Sequence, residues 1–233
     1  MSNSPPGLMK AWRLTEPGGT LQLCEIARPR AHDDWAVVNV RAAGLCHTDV
    51  GLLSGELTGL IRQWPITLGH EISGVLTEVV DPACPIPVGT SVGIAGLSGN
   101  TPGVHFDGGY AEQILIPWRN LVPVPAGIPA SVAAVATDAG ATAYNAVHVS
   151  ARIQPGDRVG VVGLGGLGML AARIAVVAGA EVYGVDVETS TFVRARNIGV
   201  TECFETIAPL ATLNLDCILD FAGFGTTTAE SIE

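Results

Sequence analysis

The stretch from Val159 to Asp186, VGVVGLGGLGMLAARIAVVAGAEVYGVD, leaves few options for what surrounds it. A short β-branched run (Val159, Val161, Val162) passes into the G-x-G-x-x-G turn Gly163-Leu164-Gly165-Gly166-Leu167-Gly168. An Ala-rich, Pro-free run from Met169 to Val177 follows, closed by Gly179, and then a second strand from Glu181 to Val185, ending in Asp186. Strand, glycine turn, helix, strand predicts a βαβ unit of a parallel sheet. Gly163 permits the tight turn, Gly165 lets backbone approach a pyrophosphate, and Gly168 lets the helix pack close on the strand. Gly166 and Leu167 complete the turn, whose free N–H groups at the helix N-terminus favour an anion. Asp186 stands close to the ~20 residues downstream at which a carboxylate accepts from ribose hydroxyls. With Glu188 it would repel a 2′-phosphate, which favours NAD over NADP. Two other readings compete, a transmembrane span and a helix that binds nothing. Clustered glycines and Arg173 argue against a span, which needs ~20 apolar residues; the ligand-free helix stays open.

Around this unit the punctuation changes character. Short β-like runs separated by Gly and Pro fill the first part of the chain: Met9 to Leu14, Leu21 to Ile26, Trp35 to Ala42, Ile72 to Val80, Ser91 to Leu97 and Ala111 to Ile116. Thr48 to Ser54 predicts a helical turn or two, and Pro129 to Val149 one or two helices. Beyond Asp186, Thr189 to Asn197 predicts a helix stopped by Gly199. Val200 to Phe204 and Leu215 to Phe221 predict two further strands. The expected organisation is an α/β chain with a β-rich domain at 9–147 and a partial doubly wound parallel sheet at 148–233. Residues before Met9 read as a loose tail.

Composition narrows the partners. A formal charge of −10, with the 12 Lys and Arg spread singly, leaves no basic stripe for nucleic acid or an anionic membrane. The opening MSNSPPGLMK has no apolar run, so neither a signal peptide nor a membrane anchor is expected. Five cysteines, an odd number without a C-x-x-C, fit reduced thiols and a cytoplasmic protein.

Three segments of the β-rich part carry reactive side chains: Gly44-Leu45-Cys46-His47-Thr48-Asp49, Gly69-His70-Glu71 and Thr137-Asp138-Ala139-Gly140. A thiolate, an imidazole and a carboxylate suit Zn²⁺ with one position open. Their spacing forms no local signature, so the residues alone also allow a buried apolar Cys46, a core His70 and an N-capping Asp138. The segments GLCHTD (44–49), GHEISG (69–74), DGGYAEQ (107–113), TDAGATAYNAV (137–147) and QPGDRVGVVGLGGLG (154–168) occur in this order. On them the chain resembles the medium-chain dehydrogenase/reductase family, specifically its zinc-dependent alcohol dehydrogenases. The resemblance implies a GroES-like catalytic domain, a Rossmann domain, and hydride transfer between NAD(H) and an alcohol or carbonyl substrate. It makes Cys46, His70 and Asp138 the metal ligands. Thr48 becomes the proton acceptor, Asp49 and Glu71 the groups that orient the ligands, and His47 a contact of the cofactor pyrophosphate, unless it is simply an exposed loop histidine. A polyol dehydrogenase of the same family and a non-catalytic nucleotide- or zinc-binding remnant are the alternatives.

The chain also departs from the pattern. The loop from Gly96 to Phe106, where many relatives carry a Cys-rich lobe, has no cysteine, so one zinc per chain is expected and no structural zinc. Gly51 and Leu52 stand where known relatives continue the proton relay to a histidine. Relatives run on beyond the position of Glu233, so strands on the far side of the first parallel strand are expected to be absent. Self-association into a homo-oligomer and weak turnover are expected to follow.

Overall fold

In the computed structural model, residues 7–96 and 100–232 are described, and the backbone falls into two compact units that meet at Asp138 and Ala139. The expected tail before Gly7, the strand end at Leu97 and part of the cysteine-free loop lie outside the described residues.

The first unit is antiparallel. It contains β1 (Leu8–Leu14), β2 (Leu21–Ala27), β3 (Trp35–Gly44), α1 (His47–Ser54), β4 (Ile66–Thr67), β5 (Glu71–Glu78), β6 (Ser91–Ile94), β7 (Gln113–Pro117), β8 (Leu121–Pro123) and α2 (Ala130–Val135). One sheet has the order β2-β1-β4 and the other β7-β3-β5-β6-β8. Ala36, Val38, Ile72, Leu76, Val92, Ile94, Ile114 and Ile116 share one core, the alternate residues of four strands turned to the same side. A smaller core of Leu14, Leu52, Ile66, Leu68 and Val104 ties α1 to β1 and β4. Strands β4 and β8 escape the sequence pattern because two or three residues carry no periodicity.

The second unit holds α3 (Ala141–Tyr144), β9 (Arg158–Val162), α4 (Gly166–Val177), β10 (Glu181–Val185), α5 (Phe192–Asn197), β11 (Glu202–Phe204), β12 (Cys217–Asp220) and α6 (Gly225–Glu230). Its sheet is parallel throughout, in the order β11-β10-β9-β12. Val159, Val161 and Val182 pack with Ala171, Ala172 and Ala175 of α4 on one face. Val162, Tyr183 and Val185 pack with Ile207 and Leu210 on the other. Burial on both faces is why these strands read as nearly unbroken apolar runs.

The backbone divides between Asp138 and Ala139, a few residues before the boundary anticipated at Val147 and His148, and Ala143 and Val147 belong to the core beneath α4. One expectation is corrected. The far side of the first parallel strand is occupied: β12 pairs with β9 from Cys217 opposite Val159 to Asp220 opposite Val162. The fourth strand therefore crosses to the other side of the first, which makes β9 an interior strand at the point where the strand order reverses. No helix among the described residues is long and apolar enough to cross a membrane.

Candidate functional site

Each of three elements delivers one ligand-type side chain to the first unit's reactive cluster. Cys46 is the N-cap of α1, its backbone extended (φ −107°, ψ 157°) as the chain leaves β3. Its N–H donates to Asp49 Oδ2 at 3.0 Å, the reciprocal bond that closes the first turn of the helix. His70 immediately precedes β5, and Asp138 sits in a π-helical turn, Ala136–Gly140, that follows α2. Wide turns of this kind recur at functional sites because the extra residue re-aims a side chain. Thr137 anchors that turn, donating to the Ala134 carbonyl at 2.7 Å and accepting from the Ile72 N–H at 3.3 Å.

Cys46 Sγ, a His70 ring nitrogen and an Asp138 carboxylate oxygen all lie within 4.8 Å of one another. Asp138 Oδ2 is 3.6 Å from His70 Nε2 and 3.7 Å from Cys46 Sγ. A tetrahedral ion with bonds of ~2.0–2.3 Å sets its ligand atoms roughly 3.3–3.7 Å apart, so these separations suit zinc. The electrostatics point the same way. Burial disfavours a charged His70 ring, yet the Asp138 and Asp49 carboxylates outweigh it and push the pKa up to about 11. His70, in turn, holds the Asp138 carboxyl below its ordinary value against the effect of burial. A buried imidazole between two carboxylates and a thiol calls for a positive charge, which a divalent cation supplies.

Behind the ligands lies a buried layer. Asp49 is fully buried, and its Oδ1 faces His70 Nδ1 at 3.4 Å, an approach too poorly aligned to count as a hydrogen bond. Burial raises the Asp49 carboxyl, but His70, the Cys46 N–H and the Tyr110 hydroxyl outweigh it and the net shift is downward. Glu71 is buried against Gly44, where a Cβ would overlap its carboxylate. Thr48 Oγ1 stands 3.7 Å from Cys46 Sγ. His47, first residue of α1, is exposed. Leu52 is wholly buried and Leu57 closes over Gly51, so α1 offers no side chain onward from Thr48 for a proton. Tyr110 and Thr137 escape sequence reasoning as members of this layer. The signals for Tyr110 are its place in the DGGYAEQ segment and the Gly108-Gly109 pair before it, which permits close backbone approach.

The nucleotide turn is built in the second unit. Gly163 has φ +84°, and a Cβ there would meet the Ala222 backbone nitrogen at 2.7 Å, so the turns that follow β9 and β12 touch where the strand order reverses. At Gly168 a Cβ would overlap the Gly163 carbonyl oxygen, which is how close α4 lies to its strand. Around Gly165 and Gly166 there is open space, and Leu167 lies in the first turn of α4. Asp186 Oδ2 accepts the Leu164 N–H at 2.6 Å, and its Oδ1 accepts the Glu188 N–H at 2.8 Å. The carboxylate thus braces the glycine turn, with lone pairs left for ligand hydroxyls.

The alcohol dehydrogenase GroES-like domain matches residues 32–126. An NAD-dependent alcohol dehydrogenase of Saccharolobus solfataricus is 34% identical, the match covering 82% of this chain and 62% of that protein. Among solved structures, an acetophenone reductase of Geotrichum candidum in complex with NAD has a TM-score of 0.82 at 27% identity, over 97% of this chain and 72% of that one. A cobalt- and zinc-bound thermostable alcohol dehydrogenase of Pyrobaculum aerophilum has a TM-score of 0.81 at 25% identity, over 91% and 70%. The chain spans about three-fifths of the length of the Saccharolobus solfataricus relative and of two further alcohol dehydrogenases, and less than half that of two probable cinnamyl alcohol dehydrogenases of Oryza sativa. The first unit carries the alcohol dehydrogenase GroES-like domain, and in its order of motifs and its parallel α/β second unit the chain is similar to the NAD-dependent and zinc-bound alcohol dehydrogenases named above.

Proposed function

We propose that the chain is the zinc- and nucleotide-binding part of an NAD-linked alcohol dehydrogenase, which interconverts an alcohol and its aldehyde or ketone. The observation that carries this reading is the convergence of a thiol, an imidazole and a carboxylate within 4.8 Å, drawn from three separate elements. Cys46, His70 and Asp138 hold the metal, one per chain. Asp49 faces the ring nitrogen of His70 turned away from Asp138, which suits it to orient the imidazole. Zinc supplies Lewis acidity at that place, polarising an oxygen and lowering its pKa. NAD supplies the hydride acceptor. Thr48 takes the alcohol proton on its hydroxyl, and with Leu52 buried beyond it the proton passes to water. Glu71 steadies the β5 end beside His70, and His47 meets the pyrophosphate. The turn from Gly163 to Gly168 binds the phosphates through backbone N–H groups, and Asp186 selects NAD by accepting from the ribose.

The relatives named above act on alcohols and ketones, and the substrate here belongs to that class. All five cysteines are free, which suits the reducing cytosol, and the two end strands of the parallel sheet, β11 and β12, offer edges that suit self-association into a homo-oligomer. Metal analysis alongside NADH-dependent reduction of a panel of aldehydes and ketones tests the reading. One zinc per chain, falling sharply in Cys46→Ala and His70→Ala, is the expected result. Unchanged metal in those variants would overturn the ligand assignment; zinc and NADH binding without turnover on any carbonyl would favour the non-catalytic alternative.

A further inference from the structure

Tyr110 is held more firmly than a surface loop residue requires. Its carbonyl accepts the Trp12 N–H of β1 at 2.7 Å and its own N–H donates to the Leu68 carbonyl at 2.9 Å. The preceding glycines follow the same track, Gly108 N–H to Thr67 and Gly109 N–H to Gly69, each at 2.8 Å. Residues 108–110 are therefore strapped along the segment that ends in His70. The Tyr110 ring lies over Gly69, which has φ +92° and where a Cβ would come within 2.6 Å of the ring.

The hydroxyl sits beside two acceptors, Asp49 Oδ2 at 2.9 Å and the Gly44 carbonyl at 3.0 Å. A phenol has one proton to give, and an ionised, buried carboxylate is the stronger acceptor. Asp49 Oδ2 then carries two donors, the Tyr110 O–H and the Cys46 N–H, and Oδ1 is the oxygen left to face His70 Nδ1. Burial and the neighbouring Asp49 charge push the phenol pKa up, so the proton stays on Tyr110 as a donor.

We propose that Tyr110 is a positioning residue for the metal centre: by fixing which Asp49 oxygen meets His70, its hydroxyl sets the orientation of the imidazole that ligates the metal. The proposal rests on the Cys46-His70-Asp138 assignment. Partners of this kind, one step removed from a metal, typically change metal affinity by about 10- to 100-fold.

Tyr110→Phe keeps the ring over Gly69 and removes only the hydroxyl, so the metal-free variant should retain wild-type circular dichroism. Its zinc affinity, read by competition with a chromophoric chelator, should fall about tenfold or more, and the visible spectrum of the Co²⁺-substituted protein should shift. Asp49→Asn should cause a similar loss, and Tyr110→Phe added to Asp49→Asn should cause little more, because the hydroxyl acts through the carboxylate. Tyr110→Phe with unchanged affinity and an unchanged Co²⁺ spectrum would overturn the role of Tyr110 and leave the ligands standing. Fully additive losses would overturn the route through Asp49. Wild-type protein that takes up neither metal would overturn the metal assignment itself, and this proposal with it.

Discussion

At the scale of single residues, Asp186 does two jobs that a substitution would separate. Its oxygens accept the N–H groups of Leu164 and Glu188, so it shapes the glycine turn, and on the proposed reading it would also repel a 2′-phosphate. Hydrogen bonds to charged groups contribute about 1.5–3 kcal/mol. Asp186→Ser should therefore weaken NADH binding by about tenfold or more and leave NADPH binding less affected or improved, narrowing the preference in a fluorescence titration. An unchanged ratio of the two dissociation constants would count against this role. Asp186 could be singled out from the sequence because its strand, turn and distance all bear on one ligand. Cys46, His70 and Asp138 could be named as ligands only through the family resemblance and otherwise only as residue types, since nothing local shows that a π-helical turn carries Asp138 to the thiol. Tyr110 was illegible for a stronger reason. Its hydroxyl matters through Asp49 and Gly44, two partners that sequence distance hides and the sheet brings together.

Among elements, the end of β12 shows a carboxylate organising the chain that follows. Asp220 Oδ1 accepts the N–H groups of Ala222 and Gly223, and Oδ2 accepts the hydroxyls of Thr227 and Thr228 at the start of α6. Burial raises its pKa, but these four donors outweigh it and the net shift is downward. A depressed folded-state value means the stabilisation is fully present above the unfolded pKa of ~3.9 and is lost as pH falls through the lower, folded value. The turn and α6 should thus loosen only in acid below about pH 4. Asp220→Ala should cost about 1–2 kcal/mol, with faster amide exchange at Ala222 and Gly223 at neutral pH; wild-type exchange there would refute the assignment. The four parallel strands announce themselves as Val-rich runs because both faces are buried. Their order is not written locally, and the expectation of a vacant side to β9 failed because the crossing of β12 is a property of the connection. In the first unit strands such as β3 and β5 are legible as apolar runs set off by Gly and Pro, whereas β4 exists only because Ile66 and Thr67 meet Leu14 and Arg13 of β1.

For the molecule as a whole, the proposed metal site is confined to one of the two units, since Cys46, His70 and Asp138 all lie in the chain up to Asp138. A ligand that binds only the folded form stabilises it by mass action, about 2.7 kcal/mol at a free concentration a hundred times its dissociation constant. Calorimetry should accordingly show a transition of the first unit that moves down by on the order of 10 °C when a chelator removes the ion, while a transition of the second unit stays in place. Equal shifts in both, or none, would contradict this division. The position of Asp138 gives the ion a further consequence. As the last residue of the first unit, in a widely wound turn, it would let an ion at the proposed site tie down the end of that unit. Loss of such an ion should release Ala136 to Gly140 before the first unit's sheets, so a protease would sense the metal state of the protein as a cut at that turn.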